Sequence, residues 1–189
     1  STLTVSGTTY LGGNLTTSGI QTYTGATTLS AANTLTTTNS NITFSDTVNS
    51  DGTTRNLTIN AGTGTTQFAG IVGGSSGVGD IDITGALDLN LAIANAASLD
   101  VSGTSNIGAN VTTSGTQNYQ GTTTLSGGDR TLQGSTITLA SVTGGSNALT
   151  VTGNLVLDGA VSGVTNMSVS GTSNIGADVT TTGTQGYSG

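Results

Sequence analysis

Nine Asp residues are the only acids in this 189-residue chain, and Arg55 and Arg130 are its only bases. Asp80 and Asp82 alternate around Ile81. In a strand that alternation puts both carboxylates on one face, about 7 Å apart. Two carboxylates near that separation are what glycoside hydrolysis requires. Without a nearby Lys or Arg, the pair reads instead as a solvated strand face. Asp80, Asp82 and Asp88 also supply hard oxygen donors, so calcium is the ion this chain is best equipped to hold. The segment GGSSGVGDIDI at 73–83 superficially matches a calcium-binding nonapeptide, but that motif needs Asp two residues after its last Gly, where Ile81 stands.

Other reaction chemistries lack their residues. The chain has no His, Cys, Lys or Glu. That removes Ser-His-Asp catalysis, thiolate and imidazole metal sites, Schiff bases and glutamate acid–base pairs. The expectation is a protein with no catalytic residues and no obligatory cofactor.

Three tyrosines recur in one setting, Gln-x-Tyr-x-Gly, at Tyr23, Tyr119 and Tyr187. Exposed, they would offer rings for carbohydrate contact. Alternating with apolar neighbours, they serve equally as core or corner fillers. Thr-x-Thr pairs at 2–4, 22–24 and 136–138 hint at an ice-binding lattice, yet they do not recur at a constant interval. Thr is also the polar residue best suited to strands. Asn-x-Ser/Thr sequons begin at Asn14, Asn41, Asn56, Asn110 and Asn166, as chance allows in a chain with 42 Thr.

A net charge of −7 with two isolated arginines leaves nothing to displace counterions from a phosphate backbone, so nucleic acid is excluded as a partner. No run approaches 18 apolar residues, so no transmembrane helix is expected.

The elements that must position these residues follow from repetition. LTVSGTTYLGGNLTTSGIQTYTGATTLSA at 3–31 matches LDVSGTSNIGANVTTSGTQNYQGTTTLSG at 99–127 at 18 of 29 positions. A third copy, 167–189, matches the second at 17 of 23 positions and stops at Gly189, the counterpart of Gly25 and Gly121. The repeat units are therefore 3–98, 99–166 and a truncated 167–189. The expectation is a fragment of a longer chain whose open ends stack end to end. Within the first unit, start points at Leu3, Ile20, Asn41, Thr63, Asp80 and Leu99 mark segments of about 20 residues. The second unit is shorter by about one such segment.

Each segment contains short alternating stretches such as NLTIN at 56–60, with Leu57 and Ile59 on one side and Asn56, Thr58 and Asn60 on the other. Recurrent Gly and Asn prevent any 3.6-residue stripe, so strands must cover strands. The pattern predicts an all-β fold. We expect a parallel β-helix with coils of about 20 residues, continuous over 1–189 as a single solenoid. An antiparallel sandwich of about 96 residues is the competing fold, but losing one short segment would wreck it.

The texture of NLTTSGIQTYTGATTLSAANTLTTTNSNITFSDTVNSDGTTRNLTINAGTGTTQFAGIVGG at 14–74 resembles the repeats of very large filamentous-haemagglutinin-like bacterial surface adhesins, many exported by two-partner secretion. The cyclic-di-GMP-regulated biofilm-matrix adhesin of Pseudomonas is similar. The resemblance covers the whole chain as rhythm and composition. It implies a right-handed parallel β-helix (β-solenoid) serving as a structural shaft, extracellular on a bacterial outer surface or in biofilm matrix, with cell–cell contact, attachment and exopolysaccharide among its roles. A passive spacer and a direct exopolysaccharide-binding module both fit that implication; an ice-binding or S-layer-like protein fits less well.

Overall fold

The computed structural model describes residues 1–189 and contains 21 strands and no helix. Every strand pairing is parallel. The chain winds into a β-solenoid of about 10 turns, about 18 residues apart.

Each turn has three faces. Face one opens with Leu3–Val5, followed one turn at a time by Gln21–Tyr23, Ile42–Phe44 and the end of Leu57–Phe68. Face two opens with Thr9–Leu11, Thr27–Leu29 and Val48–Ser50, and continues through Val72 and Ile93. Face three opens with Leu15–Thr16, Asn33–Thr36 and the start of Leu57–Phe68. The longest strands, such as Arg130–Thr143, bend around corners and serve more than one face.

Strand alternation does what the sequence predicts. Leu57, Ile59, Ile81 and Ile83 face inward and are buried, while Thr58, Asp82 and Thr84 face outward. One continuous core of 37 buried hydrophobic residues runs the length of the shaft. On face one Tyr23, Phe44 and Phe68 stack, with centroids 5.0 and 5.3 Å apart and rings within 13° and 18° of parallel.

The tightest turn length is three times six. Leu99, Ser105, Val111, Gln117 and Thr123 are inward, buried and six residues apart. Wider turns carry extra residues at a corner. Leu57 lies 24 residues after its partner Asn33 because the corners at 37–41 and 51–56 both carry extra residues; at the second, Arg55 pairs with Asp51 at 3.0 Å.

The long sequence repeat is not a whole number of turns. Leu3 lies on face one, its counterpart Leu99 on face three, and Met167 on face two. The start points read from the sequence agree with the face-one stack at Leu3, Ile20 and Asn41, close to Leu3, Gln21 and Ile42. They then drift until Leu99 falls on a different face from Leu3. The first unit spans fourteen strand positions and the second eleven. The difference of three is one turn, so the segment missing from the second unit is one coil.

Candidate functional site

The repeated motif Thr-x-Gly-x-Gln-x-Tyr builds the same polar network three times, buried at Gln21 and Gln117 and exposed at Gln185. Gln117 is fully buried. Its Nε2 donates to the Gln133 carbonyl at 2.7 Å, the Thr113 hydroxyl at 3.3 Å and the Val111 carbonyl at 3.3 Å. Its Oε1 accepts from the Tyr119 hydroxyl at 2.9 Å. Gln21 and Tyr23 repeat the arrangement, with Gln21 Nε2 donating to Thr17 and to the Thr36 carbonyl. Gln185, Thr181 and Tyr187 repeat it again. A buried amide with all its partners supplied fixes chain register, because a slipped register would leave those groups unpaired.

This decides the role of the tyrosines. Tyr23 and Tyr119 have no exposed surface, so neither can stack on a sugar in the folded shaft, and the carbohydrate contact expected of them is withdrawn. Burial pushes the Tyr23 hydroxyl pKa up to about 12 and raises that of Tyr119 further. Tyr187, on the last turn, is 40% exposed. The signal for a core role was in the sequence: Thr and Gly recur at fixed offsets before each Gln-x-Tyr.

The calcium candidates do not converge. Asp80 and Asp82 project from face three, while Asp88 projects from face one. Asp88 accepts from the Gln67 amide at 2.9 Å and the Asn106 amide at 2.8 Å. Asp80 accepts from Asn56 at 3.1 Å and Ser98 at 2.7 Å. No three His, Cys, Asp or Glu side chains are grouped to hold a metal ion. The neighbour that sequence reasoning missed is Asp100, which pairs in register with Asp82 one turn on. The offset of 18 residues was the available signal.

Desolvation raises the Asp82 pKa, and the Asp100 and Asp80 charges raise it further. A carboxyl whose pKa is raised in the folded state binds its proton more tightly there than in the unfolded chain. Its ionisation therefore opposes folding at neutral pH, and the penalty fades as pH falls through the raised pKa. Asp82→Asn is expected to raise the melting temperature at pH 7. The gain should shrink as pH falls through the raised pKa and vanish only below the unfolded value of about 3.9. Paired thermal melts across that range check it; an equal gain at both ends would refute the repulsion.

Both arginines are engaged. Arg55 holds the Asp51 carboxylate and depresses its pKa. Arg130 donates to the carbonyls of Ile107, Ser126 and Asp129, capping a corner.

Asparagine forms the corners. The Oδ1 atoms of Asn14, Asn41, Asn56, Asn110, Asn154 and Asn166 accept from the backbone N–H of Thr34, Thr65, Asp80, Thr131, Thr172 and Thr184 respectively, at 2.8–3.0 Å. Each bond joins one turn to the next. At the five sequon corners the Asn is followed by an inward apolar residue and then an outward Thr or Ser.

The shaft surface has two hollows. One of about 510 Å³ is lined by Thr113, Ser114, Gln133, Ser135, Thr152 and Ser170 with corner glycines and has no apolar residue. The other, of about 370 Å³, lies over Asp88 and Asn106 on face one. The Thr rows are short: Thr4, Thr22 and Thr43 stack in register, but Gln67 and Asp88 follow. That row does not extend into a lattice.

No protein-family model, curated protein or solved structure matches the chain.

Proposed function

We propose that this chain is a length of structural shaft from a secreted bacterial adhesin, holding other parts of that protein away from the cell and supporting aggregation and attachment. One observation carries the reading. Between the copies, inward positions keep their character while several outward positions change. Leu3, Leu99 and Met167 stay apolar, and Gln21, Gln117 and Gln185 stay identical. Outward, Thr4 becomes Asp100 and then Ser168, and Tyr10 becomes Asn106 and Asn174. Each copy also turns its surface to a different face. What the repeat preserves is architecture, the property a spacer needs, and we assign no reaction to it.

Ten turns at the spacing of parallel strands give a rod roughly 45 Å long. Fusing two and four copies of residues 3–166 should produce rods whose length in electron micrographs grows in proportion to copy number. Compact particles of constant length would sink the shaft. End-to-end contact would add filaments longer than any single rod.

The hydroxyl-lined hollow from Thr113 to Ser170 supports a second reading, a direct contact with neutral exopolysaccharide. Co-sedimentation with matrix polysaccharide, lost on Gln133→Ala and Thr152→Ala, would favour that reading over the passive spacer.

A further inference from the structure

We propose that the hollow over Asp88 on face one binds the protonated amine of an amino sugar within a cationic polysaccharide chain. The hollow exists because of one small residue. Thr65, Ala86, Thr104 and Thr122 follow one another on successive turns of face one. Ala86 is the only member of that row without a branched side chain, so the surface dips between its neighbours. The dip measures about 370 Å³ and its floor is the backbone at Leu87 and Ser105, whose side chains are buried. That volume lies within the range of small-molecule sites.

Beside it stands a carboxylate that the fold holds still. Gln67, Asp88, Asn106 and Thr124 form the next row along the same face. Asp88 Oδ2 accepts from Gln67 Nε2 at 2.9 Å, and Oδ1 accepts from Asn106 Nδ2 at 2.8 Å. The two amides grip the half-buried carboxylate from the turns on either side. Each oxygen keeps a lone pair for a further donor. No cation of the chain takes that place, because Arg55 is bound to Asp51 and Arg130 to corner carbonyls. An ammonium there would make a charge-assisted hydrogen bond to an acceptor already ordered by folding.

The rest of the lining selects the kind of amine. The hydroxyls of Thr65, Thr104 and Thr124 and the Asn106 amide surround Asp88, and the Ala86 methyl is the only apolar side chain on offer. A lysine side chain or a polyamine would have to lay bare methylenes on that polar surface, where they gain nothing. A sugar ring carries hydroxyls on the carbons beside its amine, and these find partners. The other hollow, from Thr113 to Ser170, has no charged residue. It has no means of telling an amino sugar from its N-acetylated form, so the two hollows make different demands on a ligand.

The chain is titrated calorimetrically with a fully deacetylated glucosamine tetramer, at mildly acidic pH where its amines are protonated. Binding should weaken as salt rises and should be absent with the N-acetylated tetramer. Asp88→Asn, which keeps an oxygen acceptor in the row, should weaken binding about ten- to a hundredfold, the worth of a hydrogen bond to a charged group. Ala86→Thr, which completes the Thr row and fills the dip while leaving the carboxylate in place, should weaken it as well. Asp82→Asn on face three and Thr152→Ala in the other hollow should leave it unchanged. The proposal is overturned if the deacetylated tetramer does not bind, or if the acetylated tetramer or tetralysine binds as tightly. It is equally overturned if Asp82→Asn or Thr152→Ala costs as much as Asp88→Asn, or if Ala86→Thr costs nothing.

Discussion

Phe44→Ala should destabilise the shaft by about 3–5 kcal/mol, the cost of removing a fully buried aromatic ring from a packed core. Phe44 is the middle ring of the Tyr23, Phe44, Phe68 stack, so its loss leaves both outer rings without a face partner. The neighbouring turns are fixed by backbone pairing on either side and cannot collapse into the gap. In a solenoid each turn contacts only its neighbours, so the damage should stay local. Hydrogen exchange should quicken around Tyr23, Phe44 and Phe68 and remain unchanged near Val151 and Leu157. Phe44→Leu, which fills most of the volume, should cost under about 1.5 kcal/mol. Equal costs for the two variants, or a global loss of protection, would show that the stack is not what holds these turns.

The second large effect concerns a corner. Gly103 donates its N–H to the Gly85 carbonyl at 2.9 Å, and Gly121 packs closely over the Gly103 carbonyl. A Cβ on Gly103 would lie 2.5 Å from the Gly85 oxygen, 2.6 Å from its carbon and 2.9 Å from Ala86 N. All three are backbone atoms, so no side chain can swing aside. Gly103→Ala is therefore expected to cost about 3 kcal/mol, at the upper end for overpacking, because two turns must separate. Gly13→Ala is the contrast. No atom lies within 4 Å of its added Cβ and its φ is not in the left-handed region. It should be neutral or stabilise by about 0.4–1 kcal/mol through the unfolded chain. Denaturant unfolding of the two variants measures the difference. Similar values for both would mean that the corner yields.

These effects share one cause. Parallel turns repeat at the spacing of hydrogen-bonded strands, so whatever one turn presents inward or at a corner meets its counterpart from the next. Aromatic meets aromatic at Tyr23, Phe44 and Phe68, glycine meets glycine at Gly85, Gly103 and Gly121, and carboxylate meets carboxylate at Asp82 and Asp100. The first two stabilise and the third repels.

The class of fold, the segment length and the direction of nearly every side chain follow from the chain's own local pattern. Alternation around Leu57, Ile59, Ile81 and Ile83 is a local property of an extended strand, so it was legible without knowing which strand lies alongside. Only the tertiary structure decided which residues from different turns meet. Strands six residues apart on three equivalent faces let the same motif fit any face, so sequence identity between Leu3, Leu99 and Met167 carries no information about where each lies. Corner insertions decide that, by stretching a turn from 18 to 21 or 24 residues. The same ambiguity hid the pairing of Asp82 with Asp100 and the bonds that asparagine corners make to the next turn. Each depends on a partner 18 or more residues away, and the count to that partner is set by how the corners are folded.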